Sequence, residues 1–183
     1  MRKKNLYFNL AFLLMLSMVG CKKDPAVDPN ESELITTVRV KLTEKSSGTQ
    51  SLFEFKDLDG FGGAAPSKFD EIVLTKGKLY DCTLQLLNES KTPADDITLE
   101  VAAEGVDHQL YLSASNALVV VTNLNTDAKD LPLGITSTWT AAATAGTGTF
   151  NVTLKHKPGV KAAGDLVSKG DTDLAIEFKL SVK

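Results

Sequence analysis

Apolar and polar residues alternate along much of the chain beyond residue 34, as in a β-strand with one buried face. The longest alternating run extends from Leu174 to Val182, where Leu, Ile, Phe, Leu and Val are separated by Ala, Glu, Lys and Ser. Similar alternation or short apolar runs predict strands near residues 38–42, 53–55, 72–74, 80–86, 110–112, 118–122, 135–140 and 150–154. Turns with Gly, Asp or Pro separate these segments, which is typical of antiparallel sheets.

This pattern predicts an all-β domain. We expect an immunoglobulin-like antiparallel β-sandwich of about eight strands. No regular alternation of strands and helices indicates a Rossmann-like or flavodoxin-like domain. The Thr- and Ala-rich stretch 136–149 resembles a flexible, lightly packed hairpin.

The segment 94–105 is compatible with a helix or with a strand. Two acids precede Ile97, and acidic side chains stabilise the amino end of a helix. In a helix, Ile97 and Val101 would share one side and Gly105 would end it. The same residues also alternate as Ile97, Leu99 and Val101. We expect one short helix here, with a strand as the alternative.

The first twenty residues have the features of a targeting signal. Residues 2–4 are basic, and the apolar stretch 6–16 is too short to span a bilayer. The sequence Met-Val-Gly-Cys at 18–21 resembles a bacterial lipobox, in which cleavage precedes a diacylated cysteine. We predict a lipoprotein signal peptide over 1–20 and lipid attachment at Cys21. The alternative is an ordinary signal or a membrane anchor with an incidental cysteine.

Residues 21–33 are predicted to form a tether that carries the domain at 34–183. The tether contains two prolines and four acids and has no apolar periodicity, which favours an extended linker. Acyl chains on Cys21 would attach the protein to the membrane. The whole chain has a net charge of −3, and removal of the three basic residues of the signal makes it −6. Lys and Arg are scattered among acids, so we expect no nucleic-acid partner.

Several stretches resemble a family of small lipoproteins from Bacteroidetes. They are FEFKDLDGFGG (53–63), LLNESKTPADDIT (86–98), HQLYL (108–112), LPLGITSTW (131–139), TLKHKPG (153–159) and GDTDLAIEFKLSV (170–182). The resemblance covers most of residues 33–183 and implies a cell-envelope location without a defined function. Family members are sometimes labelled as a type 1 periplasmic binding fold. That fold has two α/β lobes and roughly twice this length, and the strand pattern does not support it.

The location is predicted more narrowly as an outer-membrane lipoprotein. Acidic stretches after a lipidated cysteine resemble surface-export signals of Bacteroidetes lipoproteins, but Lys22 and Lys23 come first here. Both a surface-exposed and a periplasmic domain therefore stay open.

The sequence KDLDGFGG at 56–63 contains the best candidate for a metal site. Asp57 and Asp59 are spaced like two calcium ligands. An EF-hand would also need a third oxygen ligand and a terminal acid, and Phe61 and Lys68 occupy those positions. We expect an Asp-Gly β-turn with Gly62 and Gly63 at positive φ, and a calcium site completed by Asp127 or Asp130 is the alternative.

Both histidines are predicted to point toward the core from strand ends. His108 is two residues from Leu110 and His156 is two residues from Leu154, so each would lie on the same strand face as that leucine. Two adjacent histidines would suit a transition metal, but two ligands do not make a site. We expect a structural role in which their ring nitrogens bond to backbone at the sandwich edge.

No catalytic motif is evident, and we expect a binding or adhesion module rather than an enzyme. Cys82 has the parity of buried residues and is expected to be inert. A glycan platform would use exposed aromatic residues, and outside the signal the tyrosines and tryptophan are only Tyr80, Tyr111 and Trp139. The alternative function is a structural or accessory subunit of an outer-membrane complex. The partner is therefore either an unknown ligand or an envelope protein.

Overall fold

The structure is a computed structural model that describes residues 34–60 and 63–183. The predicted signal peptide, Cys21 and the tether lie outside these residues. The described elements are β1 (Thr37–Glu44), β2 (Gln50–Lys56), β3 (Lys68–Phe69), β4 (Ile72–Leu74), β5 (Leu79–Asn88), β6 (Asp95–Asp96), α1 (Ile97–Ala103), β7 (His108–Ala114), β8 (Val119–Thr122), β9 (Thr136–Ala141), β10 (Gly146–His156) and β11 (Asp171–Val182).

The strands form two sheets of a β-sandwich. The first sheet has the order β3-β2-β1-β5-β9-β8, with β6 paired to β5, and the second has the order β4-β11-β10-β7. Strands β5, β9 and β8 occupy the places of immunoglobulin strands B, E and D, while β7, β10 and β11 occupy those of C, F and G. The predicted immunoglobulin-like sandwich is therefore confirmed. The hairpin β1–β2 and the short β3 extend its first sheet.

Two details differ from the sequence prediction. The described residues contain eleven strands rather than about eight, and two of them, β3 and β6, have two residues each, too few for a periodic signal. The pairing is also mixed, since β4 runs parallel to β11 while the other pairs are antiparallel. Strand β4, which immediately precedes β5 in the chain, is thereby an edge strand of the second sheet.

The core is centred on aromatic rings from both sheets. Trp139 and Phe150 are fully buried, and their ring centroids lie 4.1 Å apart. The Trp139 indole N–H donates to the Ser137 hydroxyl at 2.9 Å, which satisfies its only polar group. The expected hairpin at 136–149 is wrong, because β9 pairs with β5 and β8 whereas β10 belongs to the second sheet. Alternation places Trp139 inward despite its threonine-rich neighbourhood.

The ambiguous segment forms the predicted short helix. The Asp96 carboxylate accepts a hydrogen bond from the Thr98 N–H at 3.1 Å and so caps the amino end of α1. Ile97 and Val101 are four residues apart and bury the same side of the helix. The helix ends two residues before Gly105, where an added Cβ would be crowded by the Ala102 carbonyl at 3.2 Å.

Candidate functional site

The second sheet carries a cleft of about 450 Å³ between its outer face and the β10–β11 loop, residues 157–170. Strands β7 and β10 provide the floor, which comprises Tyr111, Leu112, Ser113, Asn151 and Thr153. The loop provides the wall, which comprises Asp165, Leu166 and Val167. We call this site the loop cleft. Strand register places Tyr111 opposite Thr153 and Ser113 opposite Asn151, so that these four side chains share the outer face.

A buried cation holds the loop on the sheet. The Lys157 side chain is fully buried, and its ammonium donates to the Gln109 amide oxygen at 3.1 Å and to the Tyr111 hydroxyl. It also lies 4.6 Å from the centroid of the Tyr111 ring and 3.6 Å from the Asp165 carboxylate. Burial lowers the pKa of Lys157, and the nearby Asp165 carboxylate acts in the opposite direction. A charged lysine is stable here because it is paired on several sides.

The loop is folded around Asp165. The Asp165 carboxylate accepts the Ala162 N–H at 2.7 Å and the Lys169 ammonium at 2.9 Å, and its carbonyl accepts the Tyr111 hydroxyl at 2.9 Å. The hydrogen bond from Lys169 lowers the pKa of Asp165, so this carboxylate stays ionised. Its charge is therefore neutralised within the loop and beside Lys157.

A second anchor joins the loop to the β8–β9 connection. The Lys161 ammonium donates to the Asp127 carboxylate and to the Gly105 carbonyl, both at 2.7 Å. The side chains of Lys161 and Asp127 are almost completely buried. A buried ion pair with these additional hydrogen bonds constrains the position of the loop.

Gly170 is required where the loop returns to β11. Its φ is +80°, and an added Cβ would lie 2.3 Å from the His156 carbonyl oxygen. Any L side chain would therefore clash with the backbone at the end of β10.

The floor of the loop cleft has polar groups that are not used within the protein. Among the described residues, no hydrogen bond joins the side chains of Ser113, Asn151 or Thr153 to another residue. These hydroxyl and amide groups are donors and acceptors. They line an open cleft, beside Leu166, which is 73% exposed.

The first sheet carries another cleft, of about 300 Å³, on its outer face beside α1. We call it the helix cleft, and its lining includes Arg39, Lys41, Leu52, Thr83, Gln85, Asp96 and Leu99. Of its three charged side chains, Arg39 and Asp96 have partners within the described protein, whereas Lys41 has none. Arg39 donates to Glu54 at 2.6 Å and to Glu89 at 3.0 Å. Gln85 donates to Asp96 at 3.2 Å, and Asp96 also caps the helix.

The predicted aspartate pair lies at the end of β2. Asp57 is buried, and its Oδ1 has no hydrogen-bond partner among the described residues. The Asp59 carboxylate accepts the Ala64 N–H at 2.8 Å. Burial and the neighbouring Asp59 raise the pKa of Asp57, whereas the Ala64 N–H and Asp57 lower that of Asp59. Each of the two carboxylates thus shifts the pKa of the other.

The loop conformation corrects one detail of the expected turn. The positive φ, +77°, is at Gly60, while Gly63 does not have a positive φ and Gly62 lies outside the described residues. Gly63 is required for another reason, because a Cβ there would lie 2.3 Å from the Asp59 Oδ2.

Asp127 does not complete a site at the aspartate pair, since its carboxylate binds Lys161 and the backbone of Lys129 and Leu131. No cluster of three or more His, Cys, Asp or Glu side chains within 34–60 and 63–183 is arranged to hold a metal ion. Calcium binding by Asp57 and Asp59 stays a prediction.

The two histidines lie where the sequence predicts, at paired positions of β7 and β10. His108 and His156 are both buried, and their rings stack with centroids 4.7 Å apart and an interplanar angle of 13°. The His108 Nδ1 is 3.2 Å from the Glu104 carbonyl, which is the backbone contact expected of a structural histidine. Lone pairs of imidazole lie in the ring plane, so two stacked rings do not converge on one metal ion.

Asp173 is a neighbour of the histidines that the sequence does not reveal. Its Oδ2 lies 3.9 Å from the His108 Nε2, and neither carboxylate oxygen accepts a hydrogen bond from a described residue. Burial lowers the pKa of His108 and raises that of Asp173. Both shifts favour the neutral forms of these two groups.

The remaining candidate side chains are core residues. Cys82 is buried, and burial raises the pKa of its thiol to about 12, which makes it unreactive near neutral pH. Trp139 and Tyr80 are buried as well, so neither contributes to an aromatic platform. Of the three aromatic candidates, Tyr111 is the one that lines the loop cleft.

Comparisons with protein-family models, with curated proteins and with solved structures find no match to this chain. Within the part of the chain that the structure describes, no helix is long and apolar enough to cross a membrane.

Proposed function

We propose that the protein is a lipid-anchored, non-catalytic binding module of the bacterial outer membrane, and that its ligand occupies the loop cleft. The observation that carries this proposal is the row of unused polar groups at Ser113, Asn151 and Thr153 beneath a loop that buried ion pairs hold in place. A binding site benefits from such preorganisation, because little conformational entropy is lost when the ligand binds. Immunoglobulin-like domains commonly place binding residues on loops.

The anchor is proposed from the lipobox-like sequence at 18–21 and the resemblance to Bacteroidetes lipoproteins. Two acyl chains on Cys21 would hold the domain at the membrane without a contribution from its acidic surface. Substitution Cys21→Ser should move the protein from the detergent phase to the aqueous phase on phase partitioning. Unchanged partitioning would contradict acylation.

The binding function can be tested before the ligand is known. Fractions of envelope and culture medium, separated into proteins, polysaccharides and lipids, would be added to the full-length chain, and its melting temperature measured. At least one fraction should raise the melting temperature of the wild type and of Thr83→Trp, which fills the helix cleft. The same fraction should leave Thr153→Trp, which fills the loop cleft, unaffected. The proposal fails if no fraction stabilises the wild type, or if all three proteins respond equally.

A second function, an accessory subunit of an outer-membrane complex, is favoured by the edge of the first sheet. Strand β8 pairs with β9 and with no other described strand. Its sequence, VVVT, has no charged residue, and Val120 is 54% exposed. An uncharged edge strand is a template for pairing with another chain. Substitution Val120→Lys should then abolish co-purification of an envelope protein, and retained co-purification would contradict this alternative.

A further inference from the structure

The chemistry of the loop cleft restricts what it can bind. No lining side chain offers an unpaired charge, because the Asp165 carboxylate is neutralised by Lys169 and Lys157. A strongly charged ligand would lose its hydration without gaining an ion pair. The ligand should therefore be uncharged where it contacts the floor.

The floor and the wall have different character. Ser113, Asn151 and Thr153 present hydroxyl and amide groups, whereas Leu166, Val167 and the Tyr111 ring present apolar surface. A matching ligand has hydrogen-bonding groups along its edge and carbon-bound hydrogens on its face. A pyranose ring has both, since its hydroxyls project from the periphery of an apolar ring. Apolar lining with a few placed polar groups is typical of small-molecule sites.

An extended peptide fits this site less well. Peptides that add to a sheet bond through their backbone to a free strand edge. The loop cleft instead lies on the face of β7 and β10, and β10 is already paired on both sides, with β7 and with β11. The backbone groups of β10 are consequently not available to a peptide. Strand β7 is at the edge of the sheet, where its Leu110 N–H already donates to the Leu133 carbonyl at 2.7 Å.

We propose that the loop cleft binds a neutral saccharide, with the hydroxyls of one or more sugar rings bonded to Ser113, Asn151 and Thr153. This proposal rests on the proposed function of the same cleft. One aromatic residue in the site predicts modest affinity for a single ring and stronger binding of oligosaccharides that extend along the floor.

Calorimetric titration of the full-length chain tests the ligand class. The protein would be kept in a zwitterionic detergent without a sugar headgroup, and titrated with neutral α- and β-linked glucan, mannan, galactan and xylan oligosaccharides. Oligogalacturonate, an uncharged peptide and phosphatidylethanolamine in mixed micelles of the same detergent serve as the other ligand classes. At least one neutral oligosaccharide should bind. Asn151→Ala should weaken the binding of that oligosaccharide roughly five- to tenfold, as expected for the loss of one hydrogen bond to the ligand.

Two further variants separate the possible failures. Thr153→Trp fills the loop cleft and should abolish saccharide binding. Thr83→Trp fills the helix cleft instead and should leave the Kd for the saccharide unchanged within about twofold. Absence of binding across the neutral panel, or binding that Asn151→Ala and Thr153→Trp leave intact, overturns the proposal. If a peptide, lipid or charged polymer binds the wild type but not Thr153→Trp, the saccharide class is wrong and the binding module stands. If no ligand of any class binds, both fail.

Discussion

The loop cleft and the helix cleft each lie on the outer face of one sheet, yet they differ in how most of their polar groups are used. In the helix cleft, Arg39, Gln85 and Asp96 bond to partners within the protein. In the loop cleft, the charged groups pair beneath the loop while Asn151 and Thr153 stay without internal partners. Polar groups that are satisfied internally stabilise the fold, and those that are left free on a preorganised floor are available to a ligand.

The largest effect should come from the cation that holds the loop. Lys157→Met keeps most of the apolar stem but leaves the Asp165 carboxylate and the Gln109 amide without their buried partner. We expect a loss of about 3 kcal/mol or more in unfolding free energy, as for other buried ion pairs that lose one member. Denaturant unfolding measures it.

The matched variant in the helix cleft is Arg39→Met. Arg39 is 29% exposed at its side chain, so solvent screens its pairs with Glu54 and Glu89. Its removal should reduce stability by only about 1 kcal/mol. An equal or larger loss for Arg39→Met would contradict the difference between the clefts.

A pair of glycine variants tests whether the loop geometry is constrained. Gly170→Ala combines a positive φ with a clash against the His156 carbonyl and should lower stability by roughly 2–4 kcal/mol. Gly48 in the β1–β2 turn also has a positive φ, +71°, but an added Cβ there has open space. Gly48→Ala should therefore lose only about 1 kcal/mol. Similar losses in thermal unfolding would show that the loop accommodates the extra methyl group.

Acid should affect the second sheet, since His108 and Asp173 lie there. The pKa of His108 is lowered in the folded chain. Below about pH 6.5 the unfolded chain therefore binds a proton more readily than the folded chain, and the stability of the fold decreases as the pH decreases. Asp173 has the opposite effect on stability. Its pKa is raised in the folded chain, so the folded chain binds this proton more readily than the unfolded chain as the pH decreases, which stabilises the fold. Asp173→Asn should steepen the loss of stability as the pH falls below about 6.5, with a slope of at most about 1.4 kcal/mol per pH unit for one proton.

Hydrogen exchange can locate this acid effect. Amides of β7 and β10 should lose protection at pH 5, relative to the intrinsic exchange rate, more than amides of β1 and β5. Equal loss in both sheets, or an unchanged slope in Asp173→Asn, would contradict the assignment of the acid effect to His108 and Asp173.

The smallest expected effect is calcium binding at Asp57 and Asp59, beside the first sheet. Calcium at ten times its Kd would stabilise the fold by about 1.4 kcal/mol. The melting temperature should then rise by a few degrees in millimolar calcium, and Asp59→Asn should abolish the rise. No rise in the wild type would eliminate this site.

Much of the sandwich follows from the sequence because period-two alternation reports directly which strand face is buried. Leu174 to Val182 and the strand pairs around Val38 and Phe150 were identifiable on that basis. The two-residue strands were not, since two residues carry no periodicity. The parallel pairing of β4 with β11 was missed for another reason, because it depends on a long-range contact.

The loop cleft could not be predicted from the sequence, because its residues do not form a recognisable catalytic or binding motif. Lys157 continues the alternation of β10 and is expected to be solvated, but the loop folds back and buries it. Serine, threonine and asparagine on a sheet face are ordinary surface residues until a wall forms beside them. The one available signal was length, since a connection over 157–170 is longer than a typical hairpin loop and such loops are often functional.

The most direct test of the central claim is a hydrogen-exchange footprint of the full-length protein with and without the fraction that stabilises it. Bound ligand should slow exchange in the β10–β11 loop and in β7 and β10 beneath it, and should leave α1, β1 and β2 unchanged. Protection that appears instead around α1 and β1, with the loop unaffected, would assign binding to the helix cleft and contradict this account.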